Sequence, residues 1–226
     1  MLGGDCFLCR GALEAGRAPS LLCAACDEDL PRLGDGRCPR CALASPRGAL
    51  CGRCLAHVPA FDATVAALGY RFPADVLVQA LKFRGELSLA PLLGALLGAQ
   101  VARADPVALV LPVPLSSARL RERGFNQSLE IARVAAACVQ ARLAPRACER
   151  LRDTPAQSGL PWAARARNVR GAFACAMDLA GLSVAVVDDV MTTGATLEEL
   201  ARVLKQAGAA RVVNWVVART DPAEAA

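Results

Sequence analysis

The chain has 226 residues, 54 % of them apolar and only 4 % aromatic, with a formal net charge of +5. That is enough apolar material for one medium domain with a small module beside it, and its core must be built on Ala, Leu and Val rather than on rings. With a single histidine, His57, the rest of the chain is closed to Ser-His-Asp, Cys-His and histidine-metal chemistry.

Residues 1–57 hold eight of the eleven cysteines as four CxxC pairs: Cys6 and Cys9, Cys23 and Cys26, Cys38 and Cys41, Cys51 and Cys54. Two intervening residues bring both sulfurs of a pair onto one edge of a tight turn, and two such knuckles complete a tetrahedral site of four thiolates. Two closed zinc sites are therefore predicted. A closed site leaves no open coordination position, so the zinc is structural, contributing on the order of 10 kcal/mol to a module this small. Joining the first pair to the second and the third to the fourth is the simplest arrangement; an interleaved one stays open, as do an iron–sulfur cluster and redox CxxC pairs. His57, three residues after Cys54, reads as a linker residue. A disulfide framework would go with a secretory leader, and none reads at the start of the chain, so a reducing, cytoplasmic setting is expected.

Residues 58–226 read as a second domain. A strand is expected over 61–71, helices over 73–83 and 87–103, and a short buried strand over 107–111. A helix follows over 127–143, then an arginine-rich loop with a short helix over 144–171. A buried strand over 183–187, a helix over 196–207 and a strand over 211–218 complete the order. Alternation of strand and helix predicts a doubly wound parallel α/β sheet. The most apolar stretch, 87–102, contains Pro91, Gly94 and Gly98 and is short for a bilayer. It reads as a closely packed buried helix, and no membrane span is expected. Charge is unevenly spread: residues 112–171 hold eleven Arg against four acidic residues, and 172–226 hold four basic residues against seven acidic ones. The informative feature is that one arginine-rich segment.

The strongest signal begins at Ser183. An apolar strand ends in Asp188-Asp189, a turn from Val190 to Ala195 carries Thr192, Thr193 and Gly194, and a helix starts at Thr196. Open α/β sheets bind ligands at the carboxyl ends of their strands. A helix N-terminus offers N–H groups and positive dipole to a phosphate, and glycine lets the backbone approach it closely. Two adjacent carboxylates do not suit a phosphate; they suit ribose hydroxyls and hydrated Mg²⁺. A Walker-type loop is excluded, because no Gly-Lys-Ser/Thr follows.

This run resembles the motif by which type I phosphoribosyltransferases bind phosphoribosyl pyrophosphate (PRPP). Further segments are similar to one branch, the ComF family. These are the run Arg123-Gly124-Phe125-Asn126-Gln127 with Arg119 before it, the pair Lys82-Phe83, the four CxxC knuckles, and a mobile-loop pattern. That last pattern comprises Arg152, Thr154, Gln157, Arg165, Arg167, Asn168, Val169 and Ala172-Phe173. The resemblance runs from Cys6 to about Arg219, with Ala195 standing where Ser or Gly is frequent. It implies that Asp188 and Asp189 hold the ribose hydroxyls of PRPP with Mg²⁺, and that Thr192 to Thr196 hold its 5′-phosphate. It also implies that Val113-Pro114-Leu115-Ser116, Arg119, Arg123 and Lys82 serve the pyrophosphate, while 150–170 close over the site. Arginines suit pyrophosphate because their planar forks bind phosphate oxygens in pairs. The implied reaction displaces pyrophosphate from the anomeric carbon, with catalysis by positioning and charge rather than by a histidine. A role in handling incoming single-stranded DNA with little or no turnover is the alternative the family carries. A homodimer is among the assemblies the resemblance allows.

Overall fold

The computed structural model describes residues 4–13, 21–153 and 169–221. Its centre is a five-stranded sheet made of β1 (Ala63–Gly69), β2 (Leu109–Pro112), β3 (Arg142–Leu143), β6 (Ser183–Met191) and β7 (Arg211–Arg219). The order is β1-β7-β6-β2-β3, with every neighbouring pair parallel. The remaining strands, β4 (Cys148–Arg150) and β5 (Phe173–Cys175), form a separate antiparallel pair. The stretches Val184 to Val187 of β6 and, apart from Asn214, Val212 to Ala218 of β7 are apolar because both faces of the sheet are covered. Ala185, Val187, Val213, Trp215 and Val217 meet α3 (Ala74–Arg84), α4 (Leu89–Val101) and α6 (Gln127–Cys138) on one face. Val184, Val186, Val212 and Val216 meet the helix Ala195–Gln206, here α7, on the other. The sheet is therefore doubly wound, as the alternation predicts.

Gly94 and Gly98 are where α4 and α6 touch. A Cβ on Gly94 would stand 2.6 Å from Cβ of Val134, and one on Gly98 would stand 2.5 Å from Sγ of Cys138. The close-packed helix expected over 87–102 is what forms, and among the described residues no helix is long and apolar enough to cross a membrane.

The cysteine module is a local repeat. In its first half Asp5 bridges Ala12 around Cys6 and Cys9, and the helix α1 (Ala24–Glu28) begins after Cys23. In its second half Arg37 bridges Ala44 around Cys38 and Cys41, and α2 (Gly52–Ala56) begins after Cys51. The bonds repeat too: the N–H groups of Cys6 and Cys38 donate to Gly11 and Leu43, and those of Arg10 and Ala42 donate back to Cys6 and Cys38. Between the halves, residues 31–33 run antiparallel along the outer edge of β1, through Gly69 N–H to Pro31 O (2.8 Å) and Leu33 N–H to Ala67 O (3.0 Å). That covers the backbone groups a free edge strand would expose. The module thus straddles β1, its first half joining the core on the α3–α4 face and its second half joining the core on the α7 face.

Several elements differ from expectation, among them the pair β4 and β5, whose first strand lies where a loop with a short helix is expected. The helix expected over 127–143 stops at Cys138, because Gln140 turns the chain with φ 54° and lets Arg142–Leu143 pair beside β2. A short helix not anticipated, α5 (Ser117–Arg123), follows β2. It is too short and too charged to show a period, and its signals are its ends. The Ser116 hydroxyl accepts from the Arg119 N–H, and Gly124 takes the left-handed conformation (φ 81°) that closes it. β6 runs two residues past the acidic pair, since Val190 and Met191 still pair with Ala218 and Arg219.

Candidate functional site

From β2 the chain winds outward to β3 through α6, and from β6 it winds the opposite way to β7 through α7. β2 and β6 are neighbours, so the strand order reverses between them, and a crevice opens there at their carboxyl ends. Three loops meet in it: 113–116 after β2, the α5–α6 junction, and 188–194 at the end of β6.

The α5–α6 junction explains four residues of the run Arg123-Gly124-Phe125-Asn126-Gln127. Gly124 ends α5. Asn126 starts α6, its side-chain oxygen accepting from the N–H groups of Ser128 (3.0 Å) and Leu129 (3.4 Å) while its amide donates to Val113 O (3.0 Å). Gln127 is buried and bridges two charges, accepting from Arg123 (2.5 Å) and donating to Asp189 Oδ2 (3.4 Å). The cap therefore ties the 113–116 loop to the helix, and the glutamine ties the arginine to the acidic pair.

Asp189 is 2 % exposed. Lys82 Nζ stands 2.8 Å from its Oδ2, and the Val190 N–H donates to its Oδ1 (2.9 Å). Burial opposes its charge, but Lys82 prevails and holds the carboxyl below the ordinary carboxylate range. Lys82, grouped in the sequence with the basic residues, is thus brought to the acidic pair. Asp188 is partly exposed to the crevice and accepts from Ser128 Oγ and from the Asp189 N–H, both at 3.0 Å. Burial and the neighbouring Asp189 charge push it up to about 7. One carboxylate is held charged, and the other is poised near neutrality toward the crevice.

The turn after β6 surrounds a small opening of about 40 Å³ bounded by Asp188 and residues 190–197. Gly194 begins α7 with φ 83°, which strains any side-chain-bearing residue, and a Cβ there would lie 2.7 Å from Cε of Met191, which would have to move. Thr193 Oγ1 accepts from the Ala195 N–H (3.2 Å). Thr192 is exposed and Thr196 half-buried at the rim. The first turn of α7 carries backbone N–H groups with no partner inside the helix, as an anion site requires.

Arg119 is half-buried on the first turn of α5, and Arg123 ends that helix. Burial and the Arg119 charge lower Arg150, on β4, which also feels Asp153 and Asp188. Arg152 is exposed and donates to Arg170 O. Gln157, Arg165, Arg167 and Asn168, with Thr154, lie outside the described residues.

The eight cysteines form two groups, Cys6-Cys9-Cys23-Cys26 and Cys38-Cys41-Cys51-Cys54, the sulfurs of each lying within 4.8 Å of one another. The sequential pairing is the one present, the interleaved one is not, and His57 belongs to neither group. Zinc fits both. Zn–S bonds of about 2.3 Å set tetrahedral S···S edges at about 3.8 Å. The sulfurs of Cys9 and Cys23 are 3.7 Å apart, and those of Cys41 and Cys51 are 3.5 Å apart. Against the upward push of burial, surrounding N–H groups bring Cys6 down to about 6 and Cys38 to about 7. Burial and the neighbouring thiols push Cys26 up to about 12. Such a cluster accommodates four thiolates once a divalent cation offsets their repulsion.

Two arginines that the sequence reading passed over join the second cysteine group to the phosphate-type turn. Arg219, the last residue of β7, is 3 % exposed. Its Nε donates to Cys41 O (2.8 Å), and its Nη1 donates to Met191 O (2.7 Å), Thr192 O (2.5 Å) and Thr220 O (2.8 Å). Burial lowers it to about 10, still charged at neutral pH. From α2, between Cys51 and Cys54, Arg53 Nη2 donates to Thr193 O (2.6 Å). The available signal for Arg219 was a charge directly after the apolar run Val212 to Ala218.

Residues 1–55 match the double zinc ribbon domain, and residues 95–225 match the phosphoribosyl transferase domain. The DNA utilization protein YhgH of Escherichia coli O6:H1 is 35 % identical over 224 residues, 96 % of this chain and 97 % of that protein. Competence protein F of Haemophilus influenzae is 30 % identical over 225 residues, 95 % and 96 % of the two. Among solved structures, the allosteric regulatory enzyme of purine biosynthesis is 23 % identical, covering 57 % of this chain and 25 % of that one, with a TM-score of 0.40. The chain belongs to the phosphoribosyl transferase domain family and, with its double zinc ribbon, to the ComF branch of it.

Proposed function

We propose that the crevice between β2 and β6 binds the phosphoribosyl group of PRPP together with Mg²⁺, and that the chain is a phosphoribosyltransferase-like protein. One observation carries this. A carboxylate pair, one member held charged by Lys82 and Gln127, stands beside a glycine-started helix N-terminus at the switch point of the sheet. In this reading Asp188 accepts hydrogen bonds from the ribose hydroxyls, and Asp189 keeps the local charge and the geometry of Lys82 and Gln127. The turn Thr192 to Thr196 takes the 5′-phosphate. The loop 113–116, with Arg119 and Arg123, takes the pyrophosphate, and the family resemblance implies that 150–170, with Arg152, Gln157, Arg165, Arg167 and Asn168, close over the site. Bound Mg²⁺ supplies charge to the departing pyrophosphate; this chain's residues position the sugar and keep its charge balanced.

Calorimetric titration of the zinc-replete protein with PRPP and Mg²⁺, with released pyrophosphate assayed alongside, tests the reading. Asp188→Asn combined with Asp189→Asn is expected to abolish binding while zinc content and folding persist. Unchanged binding in that double variant overturns the assignment.

A second reading is favoured by the relatives, which are named for DNA utilization and competence: the chain handles single-stranded DNA with little or no transfer. The arginines of 112–171 suit phosphate backbones, so the affinity for single-stranded DNA must fall with salt. Filter binding that shows no salt dependence removes that reading.

A further inference from the structure

Three of the eleven cysteines lie outside the ribbon, and two of them face each other. β4 and β5 run antiparallel with Cys148 opposite Cys175, Glu149 opposite Ala174 and Arg150 opposite Phe173. An antiparallel ladder alternates between pairs that exchange backbone hydrogen bonds and pairs that do not. Beyond the strand ends, the Ala176 N–H donates to Ala147 O (3.3 Å) and the Leu151 N–H donates to Ala172 O (2.8 Å). The pairs 147–176 and 151–172 are therefore bonded positions. Two-residue alternation then makes 149–174 bonded and places Cys148 and Cys175 at a non-bonded position. There the Cα atoms lie about 4.5 Å apart with the side chains drawn together. That separation lies within the roughly 4.4–6.8 Å that a disulfide spans.

The thiols are in contact: burial first, and then Cys175, hold the Cys148 thiol above its usual range. Cys148 is buried; Cys175 is half-buried and donates its S–H to Met177 O (3.6 Å). We propose that Cys148 and Cys175 form a reversible intramolecular disulfide, a modification site for small-molecule disulfides on the hairpin that carries Arg150. Cys175, the more accessible thiol, gives up its proton. Its thiolate attacks one sulfur of the small disulfide, whose S–S bond breaks and releases one thiolate. The Cys148 thiolate then attacks the Cys175 sulfur and releases the second. The two protein protons end on the two released thiols; the protein loses two electrons, and the small disulfide gains them. A high-pKa thiol is a poor leaving group, so reduction that expels Cys148 is slowed but not prevented, and the bridge stays reversible. The bridge fixes the register of β4 on β5 and with it the position of Arg150, which lies among the charges of Arg119, Asp153 and Asp188.

The test uses the full, zinc-replete chain exposed to glutathione disulfide, digested without reductant and read by mass spectrometry, with zinc content followed in parallel. The expected product is a cross-linked peptide pair holding Cys148 and Cys175, lighter than the two free peptides by two hydrogens, with both zinc ions retained. Cys138, exposed on α6, serves as the internal reference and takes only a mixed disulfide. Because the closing step is intramolecular, bridged chains should outnumber those with glutathione on Cys175 by on the order of tenfold or more. In Cys148→Ser the bridge is lost and Cys175 retains glutathione. Glutathione on Cys175 of the unsubstituted chain without a bridge, or reduced Cys148 and Cys175 while Cys138 is modified, overturns the proposal. No phosphoribosyl ligand enters the measurement, so its outcome is independent of the function assigned to the crevice.

Discussion

The two halves of the ribbon are alike bond for bond and different in what they hold. Each is a knuckle hairpin and a knuckle helix, with the N–H of its third cysteine donating to the sulfur of its first at 3.4 Å. The first half packs Cys6, Leu22 and Leu30 into the core beside Leu77 and Leu81 of α3, and Arg84 lies 5.9 Å from the centre of the Phe7 ring. Among the described residues its link to the crevice runs through α3, whose Lys82 meets Asp189. The second half buries Cys38, Cys41 and Cys54 near Met191 and grips the turn itself, through Arg53 and Arg219. One cysteine group thus supports the acidic half of the crevice indirectly, and the other supports the turn Thr192 to Thr196 directly. Identical metal chemistry gives different control because of the face of β1 on which each half lies.

The heaviest blow to that contrast is Arg219→Met. It takes the guanidinium donor from the carbonyls of Cys41, Met191 and Thr192, of which Met191 O keeps the Thr220 N–H, at a cost on the order of 4 kcal/mol. PRPP affinity should fall at least tenfold; urea unfolding and calorimetry read the two effects. Affinity that survives would show that the second half does not set the turn. Lys82→Met probes the other half. The depressed Asp189 contributes stability above its unfolded value near 3.8 and loses it as pH falls through the folded one. The substitution should therefore cost on the order of 3 kcal/mol from pH 7 down to about pH 4 and progressively less below it. Asp188→Asn should act with the opposite sign. The folded carboxyl, at about 7 against 3.8, adds stability that is full below about pH 4 and lost as pH rises through 7. The ligand-free variant should accordingly gain on the order of 2 kcal/mol at pH 8 and nothing at pH 4, while losing affinity for the sugar. Thermal melts across pH check both signs. Arg53→Ala is the mildest: an exposed guanidinium and one bond to Thr193 O, worth about 1 kcal/mol, seen as a few-fold loss of affinity with melting unchanged.

Much of this was legible in the chain. Four CxxC pairs announce two thiolate sites, and Ser183 to Thr196 announces strand, acidic pair, turn and helix, because those features are local in sequence. What was not legible depends on distant partners. Val190 and Met191 read as turn but remain strand, since Ala218 and Arg219 arrive beside them. Lys82 read, through the Lys82-Phe83 pair, as a pyrophosphate residue, and its meeting with Asp189 spans more than a hundred residues. Arg219 and Arg53 carry no motif at all; their role exists only once the ribbon folds back against the turn. Gln127 belonged to a visible motif, yet its bridging of Arg123 and Asp189 requires the crevice to be closed on both sides.

The pairing of β1 with β7 has a consequence for the order of assembly. The Asn214 amide bonds Thr64 Oγ1 across a separation of 150 residues, and β1 has no other strand of the sheet beside it. On a ribosome, β1 and the ribbon around it emerge early and wait for a partner that is made much later. Contacts this distant carry the full loop-closure cost and form slowly. Metal capture needs only the first 54 residues, so the cysteine module can order itself before the sheet has a place for it. Zinc availability then governs when, in the life of the nascent chain, the waiting edge strand gains a shield.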